Sequence, residues 1–141
     1  MKAHRIILSA VAVGCLIALS GCQTAPKSVP ANLSAKEIIQ RAQEASDANN
    51  YGTAAFYYRT CMERYSADLS VVCACEYELA FIAYKTGKYS ESESGFRALL
   101  ARYSSPDAAL LPQEYKILAE KILPKVQDKL SKNDKKQATG K

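Results

Sequence analysis

The stretch CACEYELAFIAYKTGKYSESESGFRALLARY, from Cys73 to Tyr103, reads as two helices joined by one tight turn. Its first half runs Leu79, Ala80, Phe81, Ile82, Ala83 and Tyr84 without a polar break, as a helix surrounded by others must. Gly87 supplies the left-handed residue on which helices commonly stop. Ser90 and Glu93 then stand at the spacing of a capping box, which predicts a second helix with a stripe of Phe96, Leu99, Leu100 and Tyr103. Moved back by 38 positions, Arg97, Arg102, Tyr103 and Ser104 fall on Arg59, Arg64, Tyr65 and Ser66. The same shift takes Ala80, Tyr89, Phe96 and Leu100 onto Ala42, Tyr51, Tyr58 and Met62. The helix-turn-helix unit is therefore present twice.

Working outward, Ser34 and Glu37 form a capping box that opens a first helix, with Ala35, Ile38, Ile39, Ala42 and Ala45 at helical spacing up to about Ala48. Asn49 and Asn50 break it. A second helix follows from about Tyr51 to Tyr65, with Ala54, Tyr58, Cys61, Met62 and Tyr65 as its buried stripe. So short a connection forces the two to pack antiparallel, and Ala42 and Ala54 allow the close approach. The third helix, from about Leu69 to Thr86, is the central one, and Pro106 ends the second unit. From Gln113 to Leu123, Tyr115, Leu118, Ala119, Ile122 and Leu123 mark a one-sided helix suited to closing the end of a stack. Pro124 predicts its end or a kink, and the lysine-rich residues 131–141 read by composition as a solvated tail.

The chain has 141 residues, enough for one small domain. Met1 to Arg5 is a basic start, and Ile6 to Ser20 is an apolar run of 15 residues, short for a bilayer span and suited to a signal-peptide core. Leu19-Ser20-Gly21-Cys22 resembles the lipobox of bacterial lipoproteins. That resemblance implies a signal peptide over 1–21, acylation of Cys22, and anchoring in a membrane on its periplasmic side. Gln23, where an aspartate would mark inner-membrane retention, favours the outer membrane. Residues 22–33, with Pro26 and Pro30, read as the lipidated cysteine and an extended tether reaching roughly 35 Å, leaving residues 34–130 as the folded domain.

Leu79-Ala80, Tyr84, Gly87, Tyr89, Phe96, Leu99-Leu100 and Tyr103 resemble a tetratricopeptide repeat. The first copy keeps Ala42, Tyr51, Ala54 and Tyr58 but has Asn49 for the turn glycine, and the second has Ser92 where alanine is usual. The resemblance implies an all-α, short helical-hairpin solenoid of two repeats plus a C-terminal capping helix. It is similar to repeats in outer-membrane assembly and envelope-coordination lipoproteins, which implies a non-catalytic adaptor for another envelope protein. An accessory subunit of a transporter and a cell-wall-linked lipoprotein are the alternatives. The resemblance also implies that the first helix of each pair lines a concave face. Tyr77, Phe81, Tyr84 and Lys85 are then candidate partner-binding residues, with Ile39, Gln43 and Asp47 matching them one repeat earlier. An aromatic stripe on a central helix also serves as core, above all if the capping helix folds over it. Two repeats make a short stack, and an exposed apolar face invites a second copy.

The only histidine, His4, lies in the leader, so the mature chain lacks the commonest general base and metal ligand. Glu76 and Glu78, two residues apart, point away from each other. Neither enzyme chemistry nor a cofactor is expected. Without Lys2 and Arg5 the 19 basic residues fall to 17 against 14 acidic ones, and six lysines lie from Lys125 onward, so the body carries no basic surface for nucleic acid. Cys73 and Cys75 stand about 200° apart around a helix and do not share a metal. Cys61 and Cys73 lie level across the turn near Ala67, so a Cys61–Cys73 disulfide is one expectation in an oxidising compartment. Cys61–Cys75 is a second, and three buried thiols a third.

Overall fold

The structure, a computed structural model, describes residue 26 and residues 28–139. Among them every regular element is helical: α1 (Ala35–Asp47), α2 (Tyr51–Arg64), α3 (Leu69–Lys85), α4 (Tyr89–Arg102) and α5 (Gln113–Thr139), with one 3₁₀ turn at Pro106–Leu110. The leader 1–21 and Cys22 lie outside the described residues.

The repeat in the sequence is a repeat in register. The bounds of α4 are those of α2 moved by 38 residues. Asn49 has φ 57° and Gly87 has φ 77°, so asparagine, which tolerates the left-handed region, takes the turn glycine's place in the first copy. The same closing bond follows each: the Asn50 amide donates to the Ala45 carbonyl at 2.8 Å, the Lys88 amide to the Ala83 carbonyl at 2.9 Å. α1 begins as expected, with the Ser34 amide donating to the Glu37 carboxylate at 2.8 Å and the Ser34 hydroxyl accepting from the Glu37 amide at 3.4 Å. The capping box expected at Ser90 and Glu93 does not form. α4 starts at Tyr89 directly after the turn, its N-cap Lys88 makes no side-chain cap, and Glu93 instead accepts from Arg97 and from Gln127 of α5.

α1 packs on α2, α3 on α4, α2 on α3, and α4 on α5, while α3 also meets α1 and α5 and so touches all four other helices. Two cores result. The first joins Ile38, Ala42, Ala54, Tyr58, Cys61 and Cys75; the second joins Cys73, Ala80, Phe96, Leu99, Leu111, Ala119 and Val126. Small residues sit where helices approach most closely. A Cβ on Gly95 would stand 2.9 Å from that of Ala80, so α4 passes too near α3 for any side chain there. Ser92, in Ala54's matched position, is fully buried and donates to the Ala80 carbonyl at 2.8 Å, which satisfies its hydroxyl.

Two segments differ from the sequence reading. The end of the expected tether is part of the fold: Val29 and Leu33 are buried, and Arg64 donates to the Val29 and Pro30 carbonyls at 2.9 and 2.7 Å. Tyr65 donates to the Leu33 carbonyl at 2.7 Å, and its repeat mate Tyr103 donates to the Pro112 carbonyl at 2.7 Å. Each repeated tyrosine thus fastens the segment that leads into α1 or α5. At the other end, α5 neither stops at Pro124 nor leaves 131–139 as an irregular tail, but continues to Thr139. Pro124 removes the bond to the exposed Glu120, whose carbonyl can take water, and the fully buried Val126 secures the following turn.

Candidate functional site

Between α1, α2 and α3 lies a cleft of about 530 Å³ lined by Gln43, Ser46, Asp47, Asn49, Tyr51, Tyr58, Glu78, Phe81, Ile82 and Lys85. Four of the residues proposed from sequence meet there: Gln43 and Asp47 from α1, Phe81 and Lys85 from α3. Ile39 lies beside it, in a shallower hollow with Ala35, Lys36, Gln40 and Val71. Tyr77 and Tyr84 do not line the cleft. Tyr77 is packed against Phe96 and Tyr115 at centroid separations of 5.6 and 5.9 Å, so α5 lies over it. Tyr84 rests between Phe81 and Tyr89 at 6.1 and 6.0 Å.

The polar content of the cleft was less legible. Three buried side-chain oxygens among the described residues have no hydrogen-bond partner, and two of them, Ser46 Oγ and Tyr58 OH, belong to cleft residues. Tyr58 is 1% exposed. Burial pushes its phenol pKa up, and the nearby Glu78 charge adds to the shift. Glu78 is half-buried, no hydrogen bond or ion pair engages its carboxylate, and desolvation raises its pKa above the ordinary carboxylate value. Burial raises the pKa of Tyr77 and Tyr115 as well, and the Glu78 charge adds to both shifts. Glu76, two positions earlier, points the other way as expected and holds Arg102 through two bonds of 2.7 and 2.6 Å. Both glutamates are partly buried. The signal for Glu78 was present in the pattern: it stands three residues before Phe81 and four before Ile82, on the same side of α3.

Cys61, Cys73 and Cys75 are all free and buried. The disulfide expected between Cys61 and Cys73 is not formed, because α3 turns Cys73 into the second core, where it lies near Tyr103. Cys61 Sγ donates to the Ala35 carbonyl at 3.6 Å, and Cys75 shares the first core with it. Burial raises the pKa of all three, the opposite of what a nucleophilic thiolate requires. Among the described residues no three His, Cys, Asp or Glu side chains converge as a metal site. No helix there is long and apolar enough to cross a membrane.

The fold and cleft define a small helical-hairpin protein with a polar-floored groove between hairpins. An uncharacterized protein of Treponema pallidum (strain Nichols) is 32% identical over 99 residues, an alignment covering 69% of this chain and 40% of that protein. The match thus spans less than half the relative's length. No family profile matches the chain, and no solved structure matches it.

Proposed function

We propose that the chain is a lipid-anchored adaptor of a bacterial envelope, non-catalytic, that presents the α1–α3 cleft to a segment of another envelope protein. The observation that carries this reading is the cleft itself, in which Gln43 and Asp47 meet Phe81 and Lys85 although the two pairs lie more than 30 positions apart in the chain. A groove of this size, with an aromatic wall and a few convergent polar groups, suits a peptide side chain. The tetratricopeptide-like spacing and the lipobox at Cys22 support the adaptor role and the membrane anchor, with the outer membrane favoured. The fold of 28–33 back onto α2 means that the anchor's reach is set by the few residues before Val29.

The test is photocrosslinking in intact cells with a photoreactive residue at the exposed Gln43, and at the exposed Ser94 of α4 as the control. Gln43 is expected to capture one envelope protein that Ser94 does not, and Cys22→Ser to move the chain out of the membrane fraction. Equal capture from both positions, or capture of nothing from Gln43, removes the cleft from the function.

A further inference from the structure

Resting on that adaptor reading, we propose that the cleft recognises a lysine or arginine side chain carried by the partner segment. The unmet groups in the cleft all suit a cation. Glu78 offers a carboxylate with no bond of its own, Tyr58 OH and Ser46 Oγ are oxygens without partners, and Asp47 adds a second negative charge. Lys85 is the only cation in the lining, so two carboxylates face one ammonium and the cleft is net negative.

The buried phenol is the decisive feature. Tyr58 is 1% exposed, and its buried hydroxyl with nothing to bond to is costly unless a ligand completes it. An ammonium or guanidinium donates to several oxygens at once, and Tyr58 OH and Ser46 Oγ can each accept. The walls fit the rest of such a side chain: Phe81, Ile82 and Tyr51 offer apolar and aromatic surface to an aliphatic stem and its charged head. An acidic ligand would meet Glu78 and Asp47 with only Lys85 to offset them. Asn49 is already engaged, its carboxamide oxygen accepting from Tyr51 OH at 2.9 Å, and holds one wall in place.

The experiment titrates the full chain, in detergent, with three small probes, Nα-acetyl-lysine, Nα-acetyl-norleucine and Nα-acetyl-glutamate methylamides, and follows the Phe81 and Tyr58 ring signals by NMR. Saturable shifts are expected with the lysine probe, at least tenfold weaker binding of norleucine, and none of glutamate. Glu78→Gln should weaken the lysine probe at least tenfold, Asp47→Asn several-fold, and Lys85→Gln should strengthen it. Circular dichroism of each variant checks the fold. Should Glu78→Gln fail to fold, the lysine-to-norleucine ratio on the unaltered chain and Asp47→Asn decide the matter.

Equal binding of lysine and norleucine, preference for glutamate, binding indifferent to both acidic substitutions, or no binding overturns the inference. Probe binding that tightens as the protein is diluted assigns the cleft to the lysines at the end of another copy's α5, and overturns the partner as their source. Photocapture from Gln43 that Glu78→Gln leaves unchanged sinks the cation inference while the adaptor reading stands. Saturable lysine binding with no capture from Gln43 does the reverse.

Discussion

The two hairpins share one register and differ in what lies against their inner side. In the second, α5 covers the third helix's aromatic stripe: Tyr115 packs on Tyr77, and Ala119 and Val126 complete a core around Phe96 and Leu99. In the first, α3 lies against α1 and α2 as α5 lies against α3 and α4, but a cleft remains between α1 and α3, with Glu78 and Tyr58 in its lining. The matched positions show the difference in chemistry. Phe96, which is sealed, carries no polar atom, whereas Tyr58, 38 residues earlier and as deeply buried, carries a hydroxyl with no partner within the protein. At this pair the sealed position needs no polar atom, whereas the position beside the cleft keeps a hydroxyl for something else to meet.

The largest test of this contrast is at that matched pair. Phe96→Ala should cost about 3–5 kcal/mol, because the second core has no slack to collapse into. Tyr58→Phe should leave stability unchanged or raise it by up to about 1–3 kcal/mol, since it removes a buried hydroxyl without a partner and leaves none behind. Urea unfolding of both variants measures this, and a large loss from Tyr58→Phe would mean that the hydroxyl is bonded within the protein and the cleft is not open.

A smaller effect sharpens the comparison at the turns. Gly87→Ala should cost about 1–2 kcal/mol, because a Cβ is placed in the left-handed region. Gly87→Asn should cost visibly less, since the first hairpin already makes the same turn with Asn49. Thermal melts read the order, and equal losses from alanine and asparagine would show that the two turns are not equivalent.

The smallest effect concerns pH. Glu78's folded pKa lies above its ordinary 4.5 because burial disfavours the charge, with Tyr58, Tyr77, Tyr115, Asp47 and Lys85 as the groups around it. Between the unfolded and folded values the native state holds more protons, so stability falls as pH rises through that window. Glu37 and Glu93 act in the opposite sense. Hydrogen bonds from Ser34 to Glu37, and from Gln127 and Arg97 to Glu93, lower their values, so their contribution is present above 4.5 and lost as pH falls. Glu78→Gln should therefore match the unaltered chain at acid pH and exceed it near neutrality. Denaturation midpoints across that range check the sign, and a variant weaker at neutral pH would mean that the carboxylate has a favourable partner inside the protein.

Much of the helical layout was legible because it is local. The Ser34–Glu37 box, the break after Ala48, Gly87 and the 38-residue shift all act within a few residues of themselves, and α1 to α4 lie close to where those signals put them. The open cleft was half legible: helical spacing could align Gln43 with Asp47 and Phe81 with Lys85, and the repeat could pair the two sets. The errors were tertiary. Val29 and Leu33 look like tether residues until Arg64 and Tyr65 hold their backbone, and Pro124 looks like a terminator until Val126 is buried beyond it.

By itself the sequence determined an all-helical chain built on a repeated hairpin, because capping, left-handed turn residues and apolar period are properties of neighbouring residues. Only the tertiary structure decided which inner face is sealed and which is open, and with it the roles of Tyr77, Glu78, Cys73 and Cys75. Those depend on the angle at which α3 meets α1 and α5. The direction in which a side chain one or two positions along a helix finally points is set by that packing, and no local signal encodes it.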